Sequence, residues 1–199
     1  SCGWLEIGSS GEMGGEVAPP DALEDAAAWL EKAAETLAMN PRSAAQMALR
    51  AQALAEMVGA KGAQASALLL SAQISLHQGK AKAALTAAQR AQRLFKQAGD
   101  GAGEARASLE AARAEVAALE SKAREPTETA WRQALASAEE AVAKGALVAP
   151  DLGAAALAQK ARAQMALGQV EEAAQSSAKA GEMLQKVGGK ADSKLARPG

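Results

Sequence analysis

A triplet of small residues recurs four times in this sequence at the spacing of an α-helix, and few folds can accommodate it. The triplets are Ala44/Ala48/Ala51, Ala84/Ala88/Ala91, Ala134/Ala138/Ala141 and Ala173/Ser177/Ala180. Successive steps of four and three residues place the members of a triplet on one face of a helix. Because this face is made of small side chains, a second helix can approach at the short end of the usual interaxial range of about 8–10 Å. The triplets therefore predict closely packed helices.

The composition agrees with an all-α fold. The 199 residues include 56 alanines but only three tryptophans, one phenylalanine and no tyrosine. Alanine is the strongest helix former, yet its side chain buries little apolar area. No segment alternates polar and apolar residues with a period of two, so the sequence predicts no strand.

Glycine and proline divide the chain into eight helical segments. The breaks are expected at Asn40-Pro41, Gly59, Gly79, Gly99-Asp100, Pro126, Gly145 and Gly168. We expect the helical domain to span residues 21–188. Because glycine and serine are frequent at both ends, we expect an irregular extension over residues 1–20 and an irregular tail over residues 189–199.

The four triplets also mark a repeat. Their first members are 40, 50 and 39 residues apart. Gly79 and Gly99 bracket the second triplet at the same offsets at which Gly168 and Gly188 bracket the fourth. The longer middle step predicts that the third hairpin is longer than its neighbours, with a first helix that extends towards Arg124.

These features resemble those of tetratricopeptide-repeat proteins with long repeats of about 40 residues. The positions that match the family's pattern of small residues around a turn glycine are Ala72, Gly79, Ala84, Ala88 and Ala91 in one repeat and Ala161, Gly168, Ala173, Ser177 and Ala180 in another. The segment GDGAGEARA (99–107) resembles the linkers of long-repeat members. The resemblance covers about residues 21–188 and implies a right-handed α-solenoid of about four helix hairpins, or eight helices.

The resemblance also implies a binding groove, because the family binds extended or helical peptides on a concave face lined by the first helix of each hairpin. The residues that the repeat places there are Ser66, Leu69, Gln73, His77, Arg106, Leu109, Glu110, Arg113, Gln159 and Arg162. The groove is apolar at Leu69 and Leu109 and net basic elsewhere, which favours a ligand with acidic and aliphatic side chains. The family's clamp for C-terminal carboxylates has Lys and Asn where this chain has Leu69 and Gln73, which argues against chaperone-tail binding.

An interface on the tails or on the outer face of the array is the alternative to the groove. Trp4, Leu5 and Ile7 form a short apolar anchor that could dock on another protein.

The sequence offers few residues for catalysis or metal binding. His77 is the only histidine and Cys2 the only cysteine, which leaves too few ligands for a His/Cys zinc site within one chain, and we expect no Cys–His catalysis. A serine triad would need His77 with Ser71 or Ser75 and lacks a nucleophile elbow. We expect no enzyme activity, no metal and no cofactor.

The charge and hydropathy also limit the partners. The formal net charge is −1, and no aromatic residues alternate with basic ones, so nucleic acid is not expected as a partner. The longest strongly apolar run, Ser66–Leu70, is far too short for a transmembrane span. A protein or peptide partner is expected, and peripheral contact with a membrane complex stays open.

Two functions fit these observations. One is a non-catalytic scaffold or adaptor that binds a polypeptide through its helical-repeat surface. The other is a permanently bound accessory subunit of a larger organellar membrane complex, photosynthetic or respiratory. We expect a soluble protein of cytoplasmic or organellar location, since a targeting peptide could have been removed before Ser1.

Overall fold

The computed structural model describes residues 21–121 and 126–195, with side chains as far as Lys186. The described residues form eight α-helices and no strand, which confirms the predicted all-α fold. The helices are α1 (Ala22–Thr36), α2 (Pro41–Met57), α3 (Lys61–His77), α4 (Ala81–Ala98), α5 (Gly101–Glu120), α6 (Glu128–Val148), α7 (Pro150–Ala166) and α8 (Val170–Leu195). The proposed anchor of Trp4, Leu5 and Ile7 lies outside the described residues.

The helices pack as an array of hairpins. Each helix contacts the next one along the chain, and the connections are short, so neighbouring helices run antiparallel. The helices α1, α3, α5 and α7, which we call the inner helices, also contact one another in sequence. Within residues 21–121 and 126–195, the outer helices α2, α4, α6 and α8 do not contact one another. Because the inner helices touch one another and the outer helices are farther apart, the array is curved, with the inner helices on its concave side. The handedness of this array stays a prediction.

Glycine ends several of these helices by adopting a left-handed backbone conformation. Gly79, which follows α3, has φ of 70°, a value at which any other residue would be strained. Its N–H donates to the Leu76 carbonyl at 2.9 Å, and the Lys80 N–H donates to the Ser75 carbonyl at 2.8 Å. These bonds satisfy the last carbonyls of α3 and turn the chain into α4.

Alanine fills the contacts between helices, as the triplets predicted. Every member of the first three triplets is buried. The fourth triplet needs a correction, because Ser177 is exposed and Ser176 is buried in its place, with its hydroxyl donating to Gln164 Oε1 at 2.8 Å. Ala88, which is the residue of α4 equivalent to Ser177, is buried because it faces α5 as well as α3. Among the described helices α8 contacts α7 alone, so nothing covers Ser177.

The helix ends differ from the prediction at three places. The first is Gly145, which was expected to end a helix, whereas α6 continues through it to Val148. As expected, α5 is longer than the other inner helices α3 and α7, with 20 residues against 17. It ends at Glu120, and Arg124, towards which it was expected to extend, lies outside the described residues. Residues 189–195 are helical rather than irregular, because α8 continues through Gly188 to Leu195. A glycine inside a helix costs only about 1 kcal/mol, and proline does not follow until Pro198.

Candidate binding groove

A groove of about 520 Å³ crosses the inner helices. It follows the C-terminal halves of α3, α5 and α7 and reaches the end of α1. Its lining residues are Leu37, Gln73, Leu76, His77, Glu110, Arg113, Ala117, Gln159 and Arg162.

The spacing of residues along each inner helix explains this lining. Glu110, Arg113 and Ala117 follow one another at steps of three and four residues, so they share one face of α5. On α3, Leu76 and His77 follow Gln73 by three and four residues, so they share a face with it. Because the inner helices lie side by side, these faces join into one surface.

Glu110 is the most buried charged residue of the groove. Its carboxylate is paired with Arg113 at 2.9 Å, and the Gln73 side-chain amide donates to the same oxygen at 3.3 Å. The Glu110 side chain is 6 % exposed and that of Arg113 is 40 % exposed. Burial therefore hides the negative charge while its positive partner stays accessible to a ligand. The contact between Gln73 and Glu110 also joins α3 to α5.

A second ion pair joins α5 to α7. The Arg162 guanidinium donates to both carboxylate oxygens of Glu120, through Nε at 3.1 Å and through Nη2. Its Nη1 donates to the Gln159 side-chain oxygen at 3.2 Å. Both members of this pair are nearly half exposed. A guanidinium has five N–H donors, so Arg162 retains donors for a ligand.

The groove is closer to charge balance than its sequence suggested. Each of the two groove arginines has a glutamate partner, Glu110 for Arg113 and Glu120 for Arg162. An acidic ligand must therefore compete with an internal carboxylate for each guanidinium. Leu37, Leu76 and Ala117 supply an apolar wall beside these pairs.

The structure brings together six of the ten predicted groove residues: Gln73, His77, Glu110, Arg113, Gln159 and Arg162. The remaining four lie elsewhere. Leu109 is buried in a cluster with Ala138 and Ala156, so it is not accessible to a ligand. Leu69 packs against the cluster around Leu68, and the Ser66 hydroxyl donates to the carbonyl of Gly62.

Arg106, the last of these four, is exposed on α5 but does not line the groove. The prediction also missed Leu37, Leu76, Ala117 and Glu120. Two of these follow Arg113 by four and seven residues, so continuing the helical period along α5 would have found Ala117 and Glu120.

A second polar cluster, outside the groove, joins α5 to α6. The Lys144 ammonium donates to Glu104 at 2.6 Å and to Glu140 at 2.7 Å. Burial lowers the pKa of Lys144, but the hydrogen bonds to these carboxylates outweigh it, so the pKa is raised overall. In the same region burial raises the pKa of Glu115, and one of its carboxylate oxygens has no hydrogen-bond partner.

Comparison of the sequence with models of known protein families and with curated proteins found no match. Among residues 21–121 and 126–195, no helix combines the length and apolar character that a bilayer span requires. Within the same residues, no three His, Cys, Asp or Glu side chains form a group that could hold a metal ion.

Proposed function

We propose that this chain is a non-catalytic scaffold that binds another polypeptide in the groove across α3, α5 and α7. The observation that carries the proposal is the combination of an apolar wall with two partly exposed arginines in one concave surface. The resemblance to long-repeat tetratricopeptide proteins, whose inner helices bind peptides, supports the same reading.

The groove chemistry favours a ligand with aliphatic and acidic side chains. Aliphatic groups would pack on Leu37, Leu76 and Ala117, while carboxylates would bind Arg113 and Arg162. Because each arginine already has an internal glutamate partner, the ligand gains only the difference between two similar ion pairs. We therefore expect moderate affinity that falls as the salt concentration rises.

A peptide-array screen of the full chain tests this proposal. The best-binding peptide is then titrated by fluorescence anisotropy against wild type and the Arg113→Gln/Arg162→Gln double variant. We expect the double variant to weaken binding at least ~10-fold, equivalent to about 1.4 kcal/mol. The control is Arg132→Gln, since Arg132 is also an arginine paired with a glutamate, Glu128, but lies on α6 outside the groove. Unchanged affinity of the double variant would exclude the groove.

A permanently bound subunit of a larger assembly is the second candidate function. Large apolar side chains are exposed at both edges of the array, with Met39 on one edge and Leu147, which is 88 % exposed, on the other. Such side chains favour a lasting protein contact. Expression of the chain alone distinguishes the two candidates. A scaffold should be stable in isolation, whereas a permanent subunit should aggregate alone and co-purify stoichiometrically with its assembly.

A further inference from the structure

The outer helices α4 and α6 each carry a row of residues that the following inner helix covers. On α4 this row, counted at steps of four, three, four and three residues, consists of Ala81, Leu85, Ala88, Gln92 and Phe95. Ala88 packs in one cluster with Ala111 of α5. Phe95 packs in another with Ala107 of α5. The row is thus the surface on which the third hairpin docks.

The row on α6 has the same role. Ala138 packs in one cluster with Ala156 of α7, and both Val142 and Leu152 pack against this cluster. Gly145 approaches α7 so closely that a Cβ there would lie 3.1 Å from a backbone atom of α7. Contact through this row is therefore a regular feature of the array.

On α8 the equivalent row is exposed. Counted from the turn glycine Gly168, its residues are Val170, Ala174, Ser177, Gly181 and Leu184. Val170 is 58 % exposed and Leu184 is 52 % exposed, whereas Phe95, the counterpart of Leu184 on α4, is 3 % exposed. Among the described residues, the molecule therefore presents one docking row that no helix covers.

Between Val170 and Lys186, the charges of α8 lie away from this row. At 100° per residue, the exposed surface around Ser177 and Gly181 has no charged side chain over about 120° of the helix circumference. The charged residues of the segment 170–186 occupy the opposite side, and they are Glu171, Glu172, Lys179, Glu182 and Lys186. A face without charge, between a charged face and the core, is suited to burial against a protein.

Head-to-tail stacking of two copies does not suit this row. Such stacking would place α1 of a second copy against α8. The exposed surface of α1 carries Glu24, Asp25, Glu31, Lys32 and Glu35. Burying these charges against an uncharged row would remove their hydration without giving them partners.

The order of residues in the row points to a symmetric partner instead. We propose that α8 pairs antiparallel with α8 of a second copy of this chain, about a two-fold axis near Ser177. In this arrangement Val170 meets Leu184 of the partner subunit, and Ala174 meets Gly181 of the partner subunit. The row is nearly palindromic, with its two large apolar residues at the ends and small residues between them. The small residues allow close approach of the two helices, and the large ones are buried at both ends.

Sedimentation velocity of the full chain between about 1 and 100 μM tests the proposal. One helix pair is a small interface, so the dimer should have a Kd in the micromolar range. Leu184→Glu and Gly181→Glu, each made separately, should raise this Kd at least ~10-fold. The control is Gln175→Glu, an exposed position on the charged side of α8. Circular dichroism checks that each variant is folded.

A chain that stays monomeric at the highest concentration overturns the proposal and leaves a helix of another protein as the occupant of the row. A Leu184→Glu variant that is folded and dimerises as well as wild type also overturns it.

Disulfide cross-linking tests the two-fold axis. Ser177→Cys in a Cys2→Ser background should form a disulfide-linked dimer on oxidation, because residues near the axis meet their own copies. Lys179→Cys in the same background, on the charged side of α8, should not. A dimer that cross-links equally at both positions, or at neither, excludes the symmetric pairing.

Discussion

Phe95 packs against α5 at a position where the facing residue, Gly103, has no side chain. A Cβ at residue 103 would lie 2.5 Å from Cε1 of Phe95 and 2.6 Å from Oδ2 of Asp100. The Phe95 ring is buried, and the Asp100 carboxylate accepts the N–H of Gly103 as the cap of α5, so neither group can move freely. The fit between α4 and α5 depends on this one glycine.

We predict that Gly103→Ala lowers the free energy of unfolding by about 1–3 kcal/mol, the usual cost of overpacking, despite the better helix propensity of alanine. Gly101→Ala is the matched control, since it lies in the same turn of α5 with nothing within 4 Å of its added Cβ. That variant should be as stable as wild type or slightly more stable. Urea denaturation measures both, and equal stability of the two variants would contradict the prediction.

The sequence identified the groove residues only in part, for a reason visible at Leu109. A repeat frame shows which helix a residue belongs to, but not how that helix is rotated against its neighbours. Leu109 and Glu110 are adjacent, yet Leu109 turns towards Ala138 on α6 while Glu110 faces Gln73 on α3. The ion pair between Arg162 and Glu120 could not be predicted from the sequence either, because it depends on the distance between α5 and α7.

At the scale of the helices, the contact between α5 and α6 contains a carboxylate in an unfavourable position. Burial raises the pKa of Glu115, and the nearby charge of Glu140 raises it further, while a hydrogen bond with Ser137 offsets part of the shift. The folded state therefore holds a proton on Glu115 at pH values where the unfolded state, with the ordinary value of 4.5, has lost it. The free energy of unfolding rises as the pH falls through that range.

Glu115→Gln should accordingly stabilise the protein at pH 7, because it removes a charge that folding must bury. The advantage over wild type should shrink as the pH falls from 7 to the ordinary glutamate value of 4.5, because the raised pKa means that folded Glu115 takes up its proton within this interval. Thermal melts at both pH values measure this difference. Glu128→Gln, at an exposed position of α6, serves as the control and should show no such gain at pH 7. An advantage of Glu115→Gln that does not change with pH would be inconsistent with this origin.

The limits of helix prediction appear in the contrast between two glycines. Gly99 ends α4, and Asp100 then caps the first turn of α5 by accepting the N–H of Gly103 at 2.8 Å. Gly188 was expected to end α8 in the same way, but the helix continues through it. A glycine ends a helix when the cap and packing of the next element stabilise the turn. The sequence around Gly188 offers no such cap, so the helical hydrogen bonds continue.

For the molecule as a whole, the number and pairing of the helices were predictable because they depend on local signals. Turn glycines and short connections determine where each helix ends and which helix packs beside it. The curvature depends on contacts between helices far apart in sequence, such as α5 with α3 and α7. Those contacts could be expected from the resemblance, but not from any local pattern.

The contact pattern also predicts a gradient of local stability. Among the described helices, α3 and α5 each contact four others, whereas α1 contacts α2 and α3, and α8 contacts α7 alone. In an array held by neighbour contacts, terminal units open more readily than central ones. Hydrogen exchange measured by mass spectrometry should show the strongest amide protection in α3 and α5 and the weakest in α1 and α8. The measurement belongs at low protein concentration, where the proposed dimer dissociates, and uniform protection along the array would refute the gradient.

A core composed mainly of alanine also has a calorimetric consequence. The heat capacity change of unfolding follows the apolar area that becomes exposed, reduced by the polar area exposed with it. Buried alanines expose little apolar area per residue when the chain unfolds, while each still exposes its backbone amide. The heat capacity change per residue should therefore be small, and the stability curve should be flatter against temperature than that of a domain of equal length with a leucine and phenylalanine core. The close packing of small side chains would then make this array less sensitive to both warming and cooling.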